Sequence, residues 1–237
     1  MRRWNHCWAA GVWMLALPAA ATEVGTYIEQ EITQSAVGKQ PAMTGVQKIW
    51  IGKDRIRNET ELADETSVAI FDFAAARVIM MPTDDKQYLE MKLDDYRRLV
   101  SMRLKSAGLS DPKAEPRLSE TGEEKTVGEY RCRKVIFEQG GRSPVRMELW
   151  LTRDAPVDFG FFLDVMKKLG LDQSLGKIGE LSAKLDGYPI EVVSEQTIEK
   201  QTIRTSSKVR RIASGPLDPA LFRIPEGYKK LSGDITR

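Results

Sequence analysis

The chain has 237 residues, 41% of them hydrophobic and 30% charged, enough apolar material for a single domain with a sizeable core. Its 36 Lys and Arg residues nearly balance 34 Asp and Glu, which argues against a nucleic-acid binder. One histidine and two cysteines restrict the catalytic and metal chemistry open to it.

At the N-terminus, Arg2 and Arg3 form a basic stretch, Trp8 to Leu17 an apolar one, and Pro18-Ala19-Ala20-Ala21 a run of small residues. That order is the pattern of a cleavable secretory signal peptide. Residues 1–21 are therefore expected to be removed, leaving a protein that starts near Thr22 and works in the periplasm or outside the cell. The apolar run is too short to span a bilayer, which needs about 20 residues. Cys7 precedes that run, whereas a lipidated cysteine would sit at the cleavage point. The arginine pair is a fragment of a twin-arginine signal, so the export route stays open between that and the general secretory one.

Cleavage removes two arginines and no acid, so 34 basic residues face 34 acidic ones and the net charge becomes zero. It also removes His6, the only histidine, and with it any imidazole-based triad, proton shuttle or zinc site. Cys7 leaves too. Cys132 is then the single thiol, without a histidine to activate it or a cysteine to pair with, and reads as a buried strand position.

Strand-like alternation dominates the next 70 residues. Val24 to Thr33, Val46 to Ile51, Arg55 to Leu62, Ser67 to Phe73, Arg77 to Met81 and Gln87 to Met91 read as six short strands. The turns Gly52-Lys53-Asp54 and Pro82 to Asp85 reverse the chain too quickly for helical crossovers, so the strands form an antiparallel meander. Leu93, Tyr96, Val100 and Leu104 then recur at helical spacing up to Gly108. Ser110 to Glu124, with two prolines and many charges, reads as a surface connection inside one domain, 22–237. Glu129 to Glu138 and Val145 to Leu151 form a hairpin about Gly140-Gly141-Arg142-Ser143.

A second helical region begins with Phe159, Phe162, Leu163, Met166 and Leu169 and resumes after Gly170 with Leu171, Leu175, Ile178, Leu181 and Leu185. Tyr188 to Val193, Thr197 to Ser206 and Val209 to Ala213 return to strand patterning. The segment Leu221 to Tyr228, punctuated by Pro225 and Gly227, closes the domain as a final strand that seals one end of the barrel. The fold class expected is α+β, with nine to eleven antiparallel strands curling around inserted amphipathic helices.

Three short segments carry a resemblance. Gly128-Glu129-Tyr130-Arg131-Cys132-Arg133-Lys134, Glu148-Leu149-Trp150 and Phe222-Arg223-Ile224-Pro225-Glu226-Gly227-Tyr228, following an early run of hairpins, resemble a family of uncharacterised secreted bacterial domains. That family is related to the LolA/LolB-like lipoprotein-carrier fold. The resemblance implies an incomplete antiparallel barrel curved around helices, with room for acyl chains between sheet and helices. It supplies no catalytic or ligand-contact motif.

Both faces of several strands carry apolar side chains. Trp50 alternates against Ile49 and Ile51, Trp150 against Leu149 and Leu151, and Phe71 and Phe73 against Val68 and Ile70. Aromatics and methionines are pliable pocket linings, so the residues expected around an apolar ligand are Trp50, Phe71, Met91, Trp150, Phe159, Phe162 and Met166. Each is equally a core residue if the interior is solid.

The acidic pairs Asp84-Asp85, Asp94-Asp95 and Glu123-Glu124 are adjacent in sequence, so on a strand their carboxylates point to opposite faces. Turns and a helix start account for them, and a carboxylate-driven glycosidase is the enzyme reading they leave. No Gly-rich phosphate loop or spaced metal-ligand set occurs, so no cofactor and no enzymatic activity are expected. The expected function is an exported carrier or binder of a lipid or other apolar small molecule. The alternative is an envelope protein-interaction or sensor module with a filled core, whose partner is a protein.

Overall fold

The computed structural model describes residues 23–38, 41–82, 86–106, 115–141, 143–157, 159–170, 181, 185–198 and 201–231. Residues 1–21, read from the sequence as a signal peptide, lie outside these residues, as do Asp84-Asp85 and most of the helical spacing read between Leu171 and Leu185.

The meander is β1 (Glu23–Gln34), β2 (Met43–Ile51), β3 (Arg55–Leu62), β4 (Glu65–Asp72), β5 (Arg77–Pro82) and β6 (Gln87–Lys92). The Gly52-Lys53-Asp54 turn forms as expected, closed by the Gly52 N–H donating to the Arg55 carbonyl at 2.8 Å. The α1 helix (Leu93–Ser106) follows, with Asp94 and Asp95 in its first turn, where acids favour the helix dipole. Next come β7 (Arg117–Val127), β8 (Tyr130–Gln139), β9 (Val145–Thr152), α2 (Phe159–Lys168), β10 (Tyr188–Ile198) and β11 (Gln201–Leu217). A short 3-10 turn, Pro219–Phe222, leads to β12 (Lys229–Lys230).

These strands make one open sheet in the order β12-β6-β5-β4-β3-β2-β1-β11-β10-β9-β8-β7. β1 sits in the middle, paired antiparallel with β2 on one side and β11 on the other. The fold class is the α+β, open antiparallel one expected, with twelve strands among the described residues instead of nine to eleven.

Three local expectations are corrected. The connection read over 110–124 includes most of β7, which pairs with β8 from Arg117 opposite Glu138 to Val127 opposite Tyr130. Its charges suggested a loop because β7 is an edge strand whose side chains are mostly exposed, and charged edges resist further pairing. The three strands read after Tyr188 are two long ones, β10 and β11: residues 194–196 and 207–208, left between the strands, belong to them, and Ile198 pairs with Gln201 inside what read as one strand. The Leu221 to Tyr228 segment is not a strand: it crosses the face of the sheet opposite the helices, and only Lys229 and Lys230 pair, parallel to β6.

That crossing builds a core of its own. Phe222 and Leu217 pack on Val68, Ile70, Ile79 and Met81, with Trp50 and Tyr88 at the margin. Asp218 caps the 3-10 turn by accepting from the Ala220 N–H at 2.8 Å, and Arg57 Nη1 donates to the Leu221 carbonyl at 3.0 Å. On the helix side, Ile56, Phe71, Val78 and Leu93 form a second core, joined by Tyr96, Val165 and Leu169. The β3–β6 half of the sheet is therefore covered on both faces.

Candidate functional site

Pairing register assigns every strand residue to one of two faces. On the helix side, Gln30, Gln47 and Thr60 share a rung, as do Ile28, Ile49 and Asn58. The rung behind them, Glu29, Lys48 and Glu59, faces the other way. The period of two thus sends charge outward while the inner surface stays apolar or neutral.

Helix α2 lies over this inner surface and is held by its C-terminal end. Arg97 of α1 donates to the Lys168 carbonyl at 2.6 Å, and the Lys168 ammonium donates to the Lys53 carbonyl at 2.6 Å. Gly170 ends the helix at φ 69°, a conformation that L side chains rarely adopt, and a Cβ there would meet the Arg97 side chain at 2.8 Å. Val165 faces the filled core under β3–β6 and also the space beyond it.

That space is a partly open cavity of about 520 Å³ between α2 and the strands from β2 across to β7. In a flat sheet β2 and β7 would lie about 29 Å apart, six interstrand steps, so their meeting at one cavity shows how strongly the sheet curves. Ile28, Ile49, Ile51, Phe161, Val165 and Met166 form its apolar end. Phe137, Met147, Leu149 and Val192, with Leu118 and Leu185, form the far wall. Gln30, Gln47, Gln139, Ser194, Gln196 and Ser207 supply the polar groups, and no charged residue appears among the described lining.

The polar side chains are partly organised already. Gln30 Nε2 donates to Gln47 Oε1, and Gln47 Nε2 donates to Thr60 Oγ1 at 3.4 Å. Gln196 Nε2 is buried with no hydrogen-bond partner among the described residues. Burial pushes the Tyr188 hydroxyl, also on the cavity wall, up to about 12, so it remains a neutral donor and acceptor at physiological pH.

Of the seven residues expected around a ligand, the structure places Met166 on the cavity. Trp50 faces the opposite side, 5.2 Å from the Tyr27 ring and under the C-terminal crossing. Trp150 is also turned outward and buried beneath Lys125, whose ammonium stands 4.1 Å from its ring centroid. Phe71 and Met91 share the inner face but belong to the filled core, where Phe71 meets Tyr96 edge-on at 5.2 Å. The side chains of Phe159 and Phe162 lie outside the described residues. The cavity's glutamines and serines are the residues that sequence reasoning passed over. Their signal was available: they are uncharged polar residues in phase with Ile28, Ile49 and Val192.

Other chemistry has little to work with among the described residues. Cys132 is buried in β8 as expected, and burial pushes its thiol up, away from the thiolate. No cluster of three or more His, Cys, Asp or Glu side chains could hold a metal ion there. Glu123 and Glu124 sit on the β7 edge and pair with Lys134 and Arg131. No described helix is long and apolar enough to cross a membrane.

Solved structures similar to this chain include an uncharacterized conserved protein from Thermus thermophilus, 12% identical over 87% of this chain and 89% of that one, TM-score 0.48. Another is a Vibrio parahaemolyticus domain provisionally assigned to outer membrane lipoprotein sorting, 7% identical over 83% and 88%, TM-score 0.33. A DUF1329 family protein from Desulfovibrio piger is 12% identical over 86% and 90%, TM-score 0.32. No curated protein matches the chain. The family model for DUF4412, a domain of unknown function, matches residues 37–228, and the chain belongs to that family.

Proposed function

We propose that this protein is an exported, non-enzymatic binder or carrier of an acyl-chain lipid or comparable apolar molecule in the cell envelope. The observation that carries the reading is the cavity of about 520 Å³, apolar at one end and uncharged throughout its described lining. Its size falls within the roughly 300–1,000 Å³ range of small-molecule sites, and such sites combine apolar walls with a few polar groups. Each methylene moved from water into the apolar end contributes about 0.8 kcal/mol, so an acyl chain supplies useful affinity without any charged anchor. Export is supported by the basic, apolar and small-residue succession of residues 1–21.

Native mass spectrometry of protein purified from the periplasm, followed by organic extraction, tests this. A stoichiometric acyl adduct, or uptake of added lipid by the apo protein, is the expected result. Val192→Trp places an indole where Val192 lines the cavity and should abolish uptake while leaving the circular dichroism spectrum unchanged. A clean apo mass that refuses every acyl compound offered would overturn the reading.

A further inference from the structure

We propose that the site selects a lipid whose head group is uncharged and bears hydroxyls, and rejects the same chain carrying a carboxylate or phosphate. This rests on the apolar-ligand reading above and names the class of ligand.

The inference starts from a second hollow of about 290 Å³ that adjoins the first. The two share Gln30, Gln47, Val192 and Ser207, so the apolar cavity runs into it along the inner face. There Gln34 and Thr205 join the lining, and no charged residue appears among the described residues around it. A chain seated against Ile28 and Ile51 would extend its other end toward these carboxamides and hydroxyls.

The neutrality of this lining is not a matter of composition, since 30% of the chain is charged. Charge is excluded residue by residue. Gln30 follows Glu29 and Gln47 precedes Lys48, and in each case the charged neighbour points to the opposite face. Carboxamides and hydroxyls both donate and accept, so they suit alcohol groups and ester carbonyls equally. An anion placed among them would give up its hydration without a counter-charge to replace it. Gln196 adds a further carboxamide side chain to the first cavity's lining.

The test titrates the full protein with four probes of equal chain length: monododecanoylglycerol, dodecyl glucoside, dodecanoate and dodecyl phosphate. Each is used at pH 8 below its micellar concentration, with binding read by calorimetry. At least one neutral probe should bind tenfold or more tightly than both anions, and which neutral probe is preferred separates a glycerol head from a sugar head. An anion that binds as tightly as the better neutral probe would overturn the inference while leaving the apolar-ligand reading standing. Failure of all four to bind would remove the apolar-ligand reading itself. Thr205→Lys, at an exposed position on the second hollow, should shift the preference at least fivefold toward the anions. An unchanged preference would show that the head group does not reach that hollow, and would also overturn the inference.

Discussion

The two halves of the sheet's inner face obey the same alternation and reach opposite outcomes. Under β3–β6, Ile56, Phe71 and Val78 meet Leu93 and Tyr96 of α1 and Leu169 beyond α2, and Val78 is wholly buried. Across β1, β2 and β7–β11, the same face carries glutamines and serines among its aliphatic residues and borders a cavity. A helix entering directly from β6 supplies large apolar groups to the first half. In the second half polar side chains occupy the equivalent positions, and α2 reaches across with Phe161, Val165 and Met166 without closing the space. Packing here is decided by what the covering helix brings and by whether the rungs beneath it hold groups that tolerate being left uncovered.

The strongest way to break the comparison is to remove bulk from each half. Phe71→Ala should cost about 3–5 kcal/mol in chemical denaturation, because it leaves a void under Tyr96 that the surrounding core cannot fill. Met166→Ala, which removes atoms already bordering empty space, should cost less than half as much. Equal losses would mean that the cavity closes around Met166 in solution and that the two halves are packed alike.

A smaller effect reports on water in the hollow half. The Tyr188 phenol is pushed up to about 12 by burial, from an ordinary value of 10.0. The folded state therefore holds this proton more tightly than the unfolded chain does. The resulting stability is fully present below pH 10 and is lost as the pH rises from 10 to 12, by up to about 2.5 kcal/mol. Tyr27 is raised in the same direction, by burial and by its hydrogen bond to Glu29, so the useful quantity is the difference between wild type and Tyr188→Phe. The stability of the wild type relative to Tyr188→Phe should fall by up to that amount across that range, read from melting curves of the two. A Tyr188 that titrates near 10 would indicate that water fills the cavity up to its wall.

Much of this architecture was legible in the sequence, and the parts that were not share a cause. The meander could be read because alternation and short turns are local. Helix α1 could be read because Leu93, Tyr96, Val100 and Leu104 share one face and acids begin it. Strand β7 was hidden because an edge strand can carry charge at many positions. The site was hidden for a related reason. Alternation shows that Trp50 and Ile49 face opposite ways, but not which way the helices lie, and aromatic residues draw attention to whichever face they occupy. Trp50 and Trp150 proved to face outward, the first beneath the C-terminal crossing and the second beneath Lys125. What distinguishes the inner face is the kind of polar residue it accepts, and that becomes visible only once strand register is known.

The finest test separates packing from binding at a single side chain. Gln196 Nε2 is buried without a partner among the described residues, and an unmet donor of this kind costs the fold about 1 kcal/mol or more. Gln196→Leu keeps roughly the same volume and removes that cost, so the apo protein should become more stable by about 1 kcal/mol in thermal or chemical denaturation. Affinity for a neutral hydroxyl-bearing lipid should fall at the same time if the ligand uses this carboxamide, since Gln196 lines the cavity. Asn58 gives the control: its Oδ1 is likewise buried and unpartnered among the described residues, but the residue does not line the cavity. Asn58→Leu should therefore leave affinity unchanged. If Gln196→Leu stabilises the fold without weakening binding, the orphaned amide is a packing defect like that of Asn58. If it stabilises the fold and weakens binding, the polar end of the cavity is retained at a cost in stability because a ligand uses it.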